Sequence, residues 1–302
     1  MDYSLSVIVC SYNRPKILKE CISRLVKINQ DIIPIEIIII DDGSKKLINK
    51  DFQKYISLKN VIYKRNDKNE GLAFSRNRGI KEATSEYILI CDDDDIYINP
   101  ENIRKIYIEM IKTNSEIGIG IPTSNSSFKK KNYFLQEVFK AGITPPVSYQ
   151  IYKKKLIEKD IYNNSIKAGI DMDLWINLLK KNPKVSLIKN CDINSIKHKK
   201  NRSLTSNYEK RAKNLIISRE IWESKITSIY GYEFFLKFKQ ASIDYELWFR
   251  FLDNLSRQNF INSIKLLSAN INFIFLFRLY RYFIWKSLKI KQPVNSHLIN
   301  FL

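Results

Sequence analysis

Three short apolar runs each stop at a polar cluster, and no other feature restricts the chain's fold as much. Leu5 to Cys10 (LSVIVC) runs into Ser11-Tyr12-Asn13-Arg14, and Ile35 to Ile40 (IEIIII) into Asp41-Asp42-Gly43-Ser44. Tyr87 to Cys91 (YILIC) runs into four consecutive aspartates, Asp92 to Asp95. The second run is β-branched and apolar on both sides, the pattern of a strand buried on both faces of a parallel sheet. Between the runs lie stretches of helical period. One is opened by Pro15 and reaches about Ile28, one runs from Gly71 to Ala83, and one is opened by Pro100. Val61 to Lys64 and Ile117 to Ile121 read as further strands. This alternation predicts an α/β fold: a mostly parallel, Rossmann-like sheet with helices on both faces.

From about Ser126 the pattern changes. Lys129-Lys130-Lys131 and Pro145-Pro146 mark loops, Val147 to Tyr152 reads as a strand, Asp171 to Lys181 as a helix stopped before Pro183, and Val185 to Ile188 as a strand. From about Ser206 the spacing predicts a helical C-terminal extension. The chain's 302 residues are enough for one large α/β domain or two smaller ones. The four cysteines, Cys10, Cys21, Cys91 and Cys191, form no CxxC pair, so thiols in a reducing cytoplasm are expected. The acidic N-terminus enters a strand by Leu5 and shows no signal-peptide pattern.

In an open parallel sheet, ligands bind beyond the carboxyl ends of the strands. Four adjacent carboxylates repel one another unless they are solvated or neutralised. Taken alone, Asp92 to Asp95 reads equally well as a solvated turn capping the helix at Pro100. With two other polar strand ends beside it, the run reads as hard oxygen ligands for Mg²⁺ or Mn²⁺, shared with substrate phosphates. Neither GxxxxGK[ST] nor GxGxxG follows the first strand, and no Cys/His zinc spacing occurs, which argues against P-loop, dinucleotide-binding and zinc classes. A formal net charge of +20, from 51 Lys+Arg against 31 Asp+Glu, favours an anionic partner, although the Lys-, Ile- and Asn-rich composition accounts for part of it.

At these residues the chain resembles the family 2 glycosyltransferases of the GT-A fold. The matching runs are Val7 to Arg14 (VIVCSYNR), Glu36 to Ser44 (EIIIIDDGS), Asn69 to Gly79 (NEGLAFSRNRG, against NxGxAxxRNxG) and Tyr87 to Asp95 (YILICDDDD, against the DxDD element). The resemblance covers residues 4 to about 100 strongly, continues to about 205, and leaves the tail uncovered. It implies an inverting hexosyltransferase that moves a sugar from a nucleotide-diphosphate donor, UDP by family habit, to a glycan or lipid-linked acceptor in cell-surface polysaccharide assembly. It also implies a nucleotide-sugar-binding half at 1–100, an acceptor-binding half at 101–205, and a separate tail at 206–302.

The same resemblance implies residue roles. Tyr12 and Asp42 would hold the base, with backbone contacts from Cys10. Gly71 and Arg76 would shape the nucleotide side of the pocket. Asp92 would lie near the ribose, Asp93 close to the nucleotide, and Asp94 on the Mn²⁺ or Mg²⁺ that bridges the diphosphate. Asp171, in Gly169-Ile170-Asp171-Met172-Asp173, matches the catalytic base, with Ile170 where the family usually has glutamate. His198 would be a metal or diphosphate ligand, with Lys199, Lys200 and Arg202 nearby. The simpler readings are a surface arginine paired with a nearby acid for Arg76, a helix N-cap for Asp171 and a surface imidazole for His198. Asp173 is a weaker candidate than Asp171, being inside the helix's first turn.

Residues 271 to 288 (INFIFLFRLYRYFIWKSL) combine aromatic cover with Arg278 and Arg281 on one helical face. The longest uncharged run there, Leu266 to Phe277, is too short for the roughly 20 residues of a membrane span. The tail is expected on an anionic membrane surface, on the cytoplasmic face, or packed on its own domain or a second subunit in a homo-oligomer. Nucleic-acid binding would need basic residues clustered with aromatics on a recognised module, and none is found. A non-catalytic relative that binds nucleotide sugar is the remaining alternative, hinted at by Ile170.

Overall fold

The computed structural model describes residues 3–27, 33–45, 50–94, 99–121, 132–140, 147–157, 160–191, 208–256 and 261–262. The chain divides into two compact units, Met1–Ser165 with Ile170–Ile196, and Ile166–Gly169 with Lys197–Leu302.

The first unit runs β1 (Leu5–Ser11), α1 (Pro15–Leu25), β2 (Ile35–Asp41), α2 (Lys50–Ile56), β3 (Val61–Arg65), α3 (Leu72–Glu82), β4 (Tyr87–Asp92) and α4 (Pro100–Thr113). It continues with β5 (Ile117–Gly120), β6 (Asn132–Phe134), α5 (Leu135–Lys140), β7 (Gln150–Lys153), α6 (Ile170–Leu179) and β8 (Lys184–Ile188). The strands form one sheet in the order β3-β2-β1-β4-β7-β5-β8-β6. β1 pairs in parallel with β2 and β4, β2 with β3, and β5 with β8. β7 lies antiparallel between β4 and β5, and β6 antiparallel against β8. The sheet is therefore mixed in its second half. The apolar pattern of a buried strand is the same in either direction, so patterning alone gives no orientation there. The expected strand at Val147 to Tyr152 begins as a 3₁₀ turn at Val147–Tyr149 and extends only from Gln150. The short elements α2, β6 and α5 carry too few residues to show a period.

Every residue of β1 and β2 is buried, as their continuous apolar runs require. Val7, Val9, Ile37, Ile39 and Cys91 share a core with Leu18, Cys21 and Ile22 of α1 and Ile103, Ile106 and Met110 of α4. Pro15 starts α1 with its ring at a position that needs no donor. α4 starts at Pro100 behind an N-cap Asn99, whose side chain accepts from the Glu101 amide at 2.9 Å. On the opposite face, Gly79 of α3 lies against the sheet so closely that a Cβ there would sit 2.3 Å from Ile8 Cγ2 and 3.4 Å from Ile40 Cγ1. The last glycine of the NxGxAxxRNxG run is thus a packing requirement. At the end of the sheet away from the polar strand tips, the buried Glu36 carboxylate accepts from Ser6 Oγ at 2.5 Å and from the Thr84 amide at 2.7 Å, tying the α3–β4 turn to β1 and β2.

The second unit contains α7 (Tyr208–Tyr230) and α8 (Tyr232–Ser256), joined at Gly231 with φ +83°. A buried Arg219–Glu246 pair at 2.5 Å links them, and Arg250 adds a second bond to Glu246 at 2.9 Å. Ala168 packs with Ala212 and Leu215 of α7, and Ser218 Oγ donates to the Ala168 carbonyl at 2.8 Å. No helix among the described residues is long and apolar enough to cross a membrane. The aromatic segment 271–288 and His297 lie outside the described residues. The four cysteines are free and buried.

Gly79→Ala should destabilise the protein by about 1–3 kcal/mol, the usual cost of an extra methyl in a packed interface. A urea-unfolding comparison measures this, and an unchanged midpoint would show that α3 can back away from the sheet.

Candidate active site

Strand register brings the polar clusters together. Cys10 sits opposite Asp92 across β1–β4, and Ser11 opposite Asp41 across β1–β2. The tips of β1, β2 and β4 therefore form one edge, where the sequence had three separate motifs.

Two arginines neutralise the acidic tip of β4. Arg76 of α3 is only 1% exposed. Its Nη2 donates to Asp92 Oδ1 at 2.9 Å and its Nη1 to Asp171 Oδ1 at 2.5 Å, while the guanidinium stacks over the Tyr162 ring at 5.4 Å. Burial alone would push this arginine's pKa down, but Asp171 and then Asp92 raise it well above the usual value. Arg14, just past β1, donates from Nη1 to Asp93 Oδ1 at 2.8 Å and to Asp94 Oδ2 at 3.2 Å. Asp93 is buried and also accepts from Ser11 Oγ at 2.6 Å. Desolvation pushes its pKa up to about 7 despite Arg14 and Ser11, and Asp94 and Asp92 add to the rise. Burial likewise raises the Cys10 thiol, which lies among Arg76, Asp92, Asp42 and Asp93.

Asp42 is buried and holds the next loop. Its Oδ1 accepts from Asn66 Nδ2 at 2.8 Å and the Glu70 amide at 2.9 Å, and its Oδ2 from the Gly71 amide at 2.9 Å. Gly71, at φ +97°, then caps α3. Gly43, at φ +71°, lets this loop close, because a Cβ there would lie 2.4 Å from the Lys68 carbonyl carbon. The β1 and β2 tips are laced together where the Asn13 amide donates to Ser44 Oγ at 2.7 Å and the Lys45 amide to Asn13 Oδ1 at 2.8 Å. Tyr12, on the same tip, is 39% exposed.

Asp171 reaches this edge because the segment before α6 is pinned on both sides. Asn77, next to Arg76, mimics a backbone pair with Tyr162: its Nδ2 donates to the Tyr162 carbonyl at 2.8 Å and its Oδ1 accepts from the Tyr162 amide at 3.1 Å. From α6, Asp173 accepts from the Asn163 amide at 3.0 Å, and Asn177 donates to the Ile161 carbonyl at 2.6 Å. Asp173 is wholly buried in this role. α6 begins at Ile170, so Asp171 lies inside the first turn and is not the N-cap. Nor is Arg76 a surface arginine. Beneath α6, Trp175 Nε1 donates to Gln150 Oε1 at 2.7 Å and contacts the Tyr152 hydroxyl at 3.2 Å, a buried network that supports the helix.

Of the residues expected from sequence, Cys10, Tyr12, Asp42, Gly71, Arg76, Asp92, Asp93, Asp94 and Asp171 lie on this edge or in the loops that build it. His198, with Lys199, Lys200 and Arg202, lies outside the described residues, as does Asp95. Sequence reasoning assigned no role to Asn66, Asn77 or Tyr162. Asn77 was visible inside its motif, whereas nothing in the sequence marks Tyr162. Among the described residues, no three His, Cys, Asp or Glu side chains converge as a metal cage.

Residues 6–170 match the sequence profile of Glycosyl transferase family 2. An uncharacterised glycosyltransferase of Rickettsia felis is 30% identical over 194 residues, covering 60% of this chain and 31% of that protein, so the chain spans about a third of that relative's length. Among solved structures, S. aureus TarS 1-349 in complex with UDP-GlcNAc aligns with a TM-score of 0.57 at 18% identity, covering 99% of this chain and 79% of that one. A mannosyltransferase from Pyrobaculum calidifontis, in complex with GDP-Man and Mn²⁺, aligns with a TM-score of 0.55 at 14% identity, covering 100% and 86%. Both share the fold.

Asp93 makes stability depend on pH. Its folded pKa of about 7 lies above the ordinary 3.8, so its contribution to stability is full below about pH 4 and is lost as pH rises through 7. The melting temperature of the unliganded protein should fall over that window, and Asp93→Asn should remove this part of the fall. Parallel melting curves for the two proteins would refute the assignment.

Proposed function

The chain belongs to glycosyl transferase family 2, and we propose that it transfers a sugar from a nucleotide-diphosphate donor to an acceptor hydroxyl with inversion. One observation carries the reading. A single buried guanidinium joins Asp92, on the strand tip assigned to the donor, to Asp171, at the start of the helix assigned to the acceptor. The side chains of Asp92 and Asp171 stay 39% and 47% exposed, so both acids face solvent at one place. The UDP-GlcNAc and GDP-Man bound by the two structural relatives support a nucleotide-diphosphate sugar as the donor class. A UDP-sugar and a cell-surface glycan acceptor are the finer proposals, resting on the motif resemblance.

A divalent cation fits the acidic tip. Asp94 keeps 27% of its side chain exposed and already has a cationic partner in Arg14. One or two carboxylates completed by donor phosphates is the usual Mg²⁺ arrangement, and it needs no three-residue protein cage. Asp94 would hold Mn²⁺ or Mg²⁺, which when bound supplies positive charge to the departing diphosphate. The Mn²⁺ bound in the Pyrobaculum mannosyltransferase supports this choice.

In the proposed reaction, Asp171 stands as general base. A carboxylate within hydrogen-bond reach takes the acceptor proton as the oxygen attacks the anomeric carbon, and attack opposite the leaving group inverts that centre. The Asp42–Gly71 loop and the laced β1–β2 tips hold the donor, and holding donor and acceptor in line supplies further acceleration.

Asp171→Asn should bind UDP as the parent protein does while losing about 10²–10⁴-fold in turnover. Calorimetry with UDP and a nucleotide-release assay over a panel of UDP- and GDP-sugars measure the two, and undiminished turnover would remove Asp171 from the mechanism. Asp94→Ala should weaken UDP binding only when Mn²⁺ is present. Equal UDP affinity with and without EDTA in the parent protein would overturn the metal assignment.

A further inference from the structure

We infer that Arg76 is a positioning residue for the base, acting on Asp171 from behind and making no contact with the nucleotide. The inference rests on the reading of Asp171 as the proton acceptor. The motif resemblance puts Arg76 on the nucleotide side of the pocket, but its side chain is 2% exposed while those of the acids it joins are 39% and 47% exposed. A ligand arriving at this edge meets the carboxylates, and the guanidinium lies beneath them.

The fork has a definite geometry. Nη1 takes Asp171 at 2.5 Å and Nη2 takes Asp92 at 2.9 Å. The buried Nε has no acceptor, so the two acids, with the Tyr162 ring beneath the guanidinium, set where the group lies. A planar guanidinium holds its two nitrogens at a fixed spacing, and two carboxylates bound to it inherit that spacing. Asp92 and Asp171 arrive from elements far apart in sequence, and this fork is what fixes one against the other. Among the described residues, the second oxygen of Asp171 accepts no hydrogen bond, which leaves it for an incoming proton. A lysine could keep the charge but, as a single point on a flexible stem, could not hold both acids at one spacing.

The test compares Arg76→Lys, Asp171→Asn and the double variant, following nucleotide diphosphate released from the best-hydrolysed UDP- or GDP-sugar with Mn²⁺ present. UDP affinity is read separately by calorimetry. Arg76→Lys should lower kcat by about 100-fold, with donor KM and UDP affinity within roughly threefold of the parent. The double variant should be no slower than Asp171→Asn alone, because both changes disable the same group. A raised KM with weakened UDP binding at unchanged kcat would make Arg76 a nucleotide contact and overturn the inference, as would losses that multiply in the double variant. Normal kcat in Arg76→Lys with a dead Asp171→Asn sinks this inference alone, whereas normal kcat in Asp171→Asn sinks the base assignment and this inference with it. Should lysine prevent folding, Arg76→Ala with added guanidinium chloride at a non-denaturing concentration decides. Recovered kcat supports positioning, and a folded variant without recovery overturns it.

Discussion

The Arg76 guanidinium, buried between Asp92 and Asp171, is the interaction on which the site depends. A charge removed from water is tolerated when paired and hydrogen-bonded, and removing one partner of such a pair typically costs about 3–5 kcal/mol. Here the positive group is wholly buried and its two acids are half exposed. The desolvation cost falls on the arginine, and the solvent-facing surface is left to the carboxylates. Arg14 does the corresponding job for Asp93 and Asp94 with its own side chain 19% exposed. Three of the four successive aspartates, Asp92 to Asp94, which repel one another in isolation, become tolerable at a strand end because two arginines from different elements reach them. Asp95 lies outside the described residues.

Around these two arginines the loops are held mainly by bonds between side chains and backbone. Asp42 gathers the Glu70 and Gly71 amides, Asn77 pairs with both backbone groups of Tyr162, and Asp173 takes the Asn163 amide. Each of these polar side chains is buried and satisfies a backbone group that a loop would otherwise leave without a partner. The polar residues of the motifs therefore divide into two kinds. Asp92, Asp94, Asp171 and Tyr12 keep part of their surface open to solvent, whereas Asp42, Asn77 and Asp173 are buried and build the frame.

Much of this could be read from the residues in order. The all-buried strands β1 and β2, and β4 up to Cys91, follow from their apolar runs, and the helices after Pro15 and Pro100 from proline at a first turn. The polar strand tips mark the edge where ligands bind in sheets of this type. The antiparallel direction of β7 and β6 could not be read, because a buried strand carries no directional mark in its side chains. The elements α2, β6 and α5 are shorter than the window over which a period can be recognised. Asp173 and Asp171 look alike in sequence, two residues apart in one helical turn. Their helical positions differ by about 200° around the axis, which sends one carboxylate into the protein and leaves the other open.

The sequence by itself determined that this chain forms an α/β sheet with acidic strand ends, and that its motifs are those of a glycosyltransferase. That information is local, carried by hydrophobic period, by proline and glycine at positions only they suit, and by runs of adjacent residues. Only the tertiary structure decided that Arg76 belongs to Asp92 and Asp171, that Arg14 belongs to Asp93 and Asp94, and that Tyr162 lies under the guanidinium. Those partners are separated in sequence by as many as 95 residues. An ion pair at such a separation leaves no trace in either residue's neighbours along the chain, because Coulomb attraction and hydrogen bonding act through the space that folding creates.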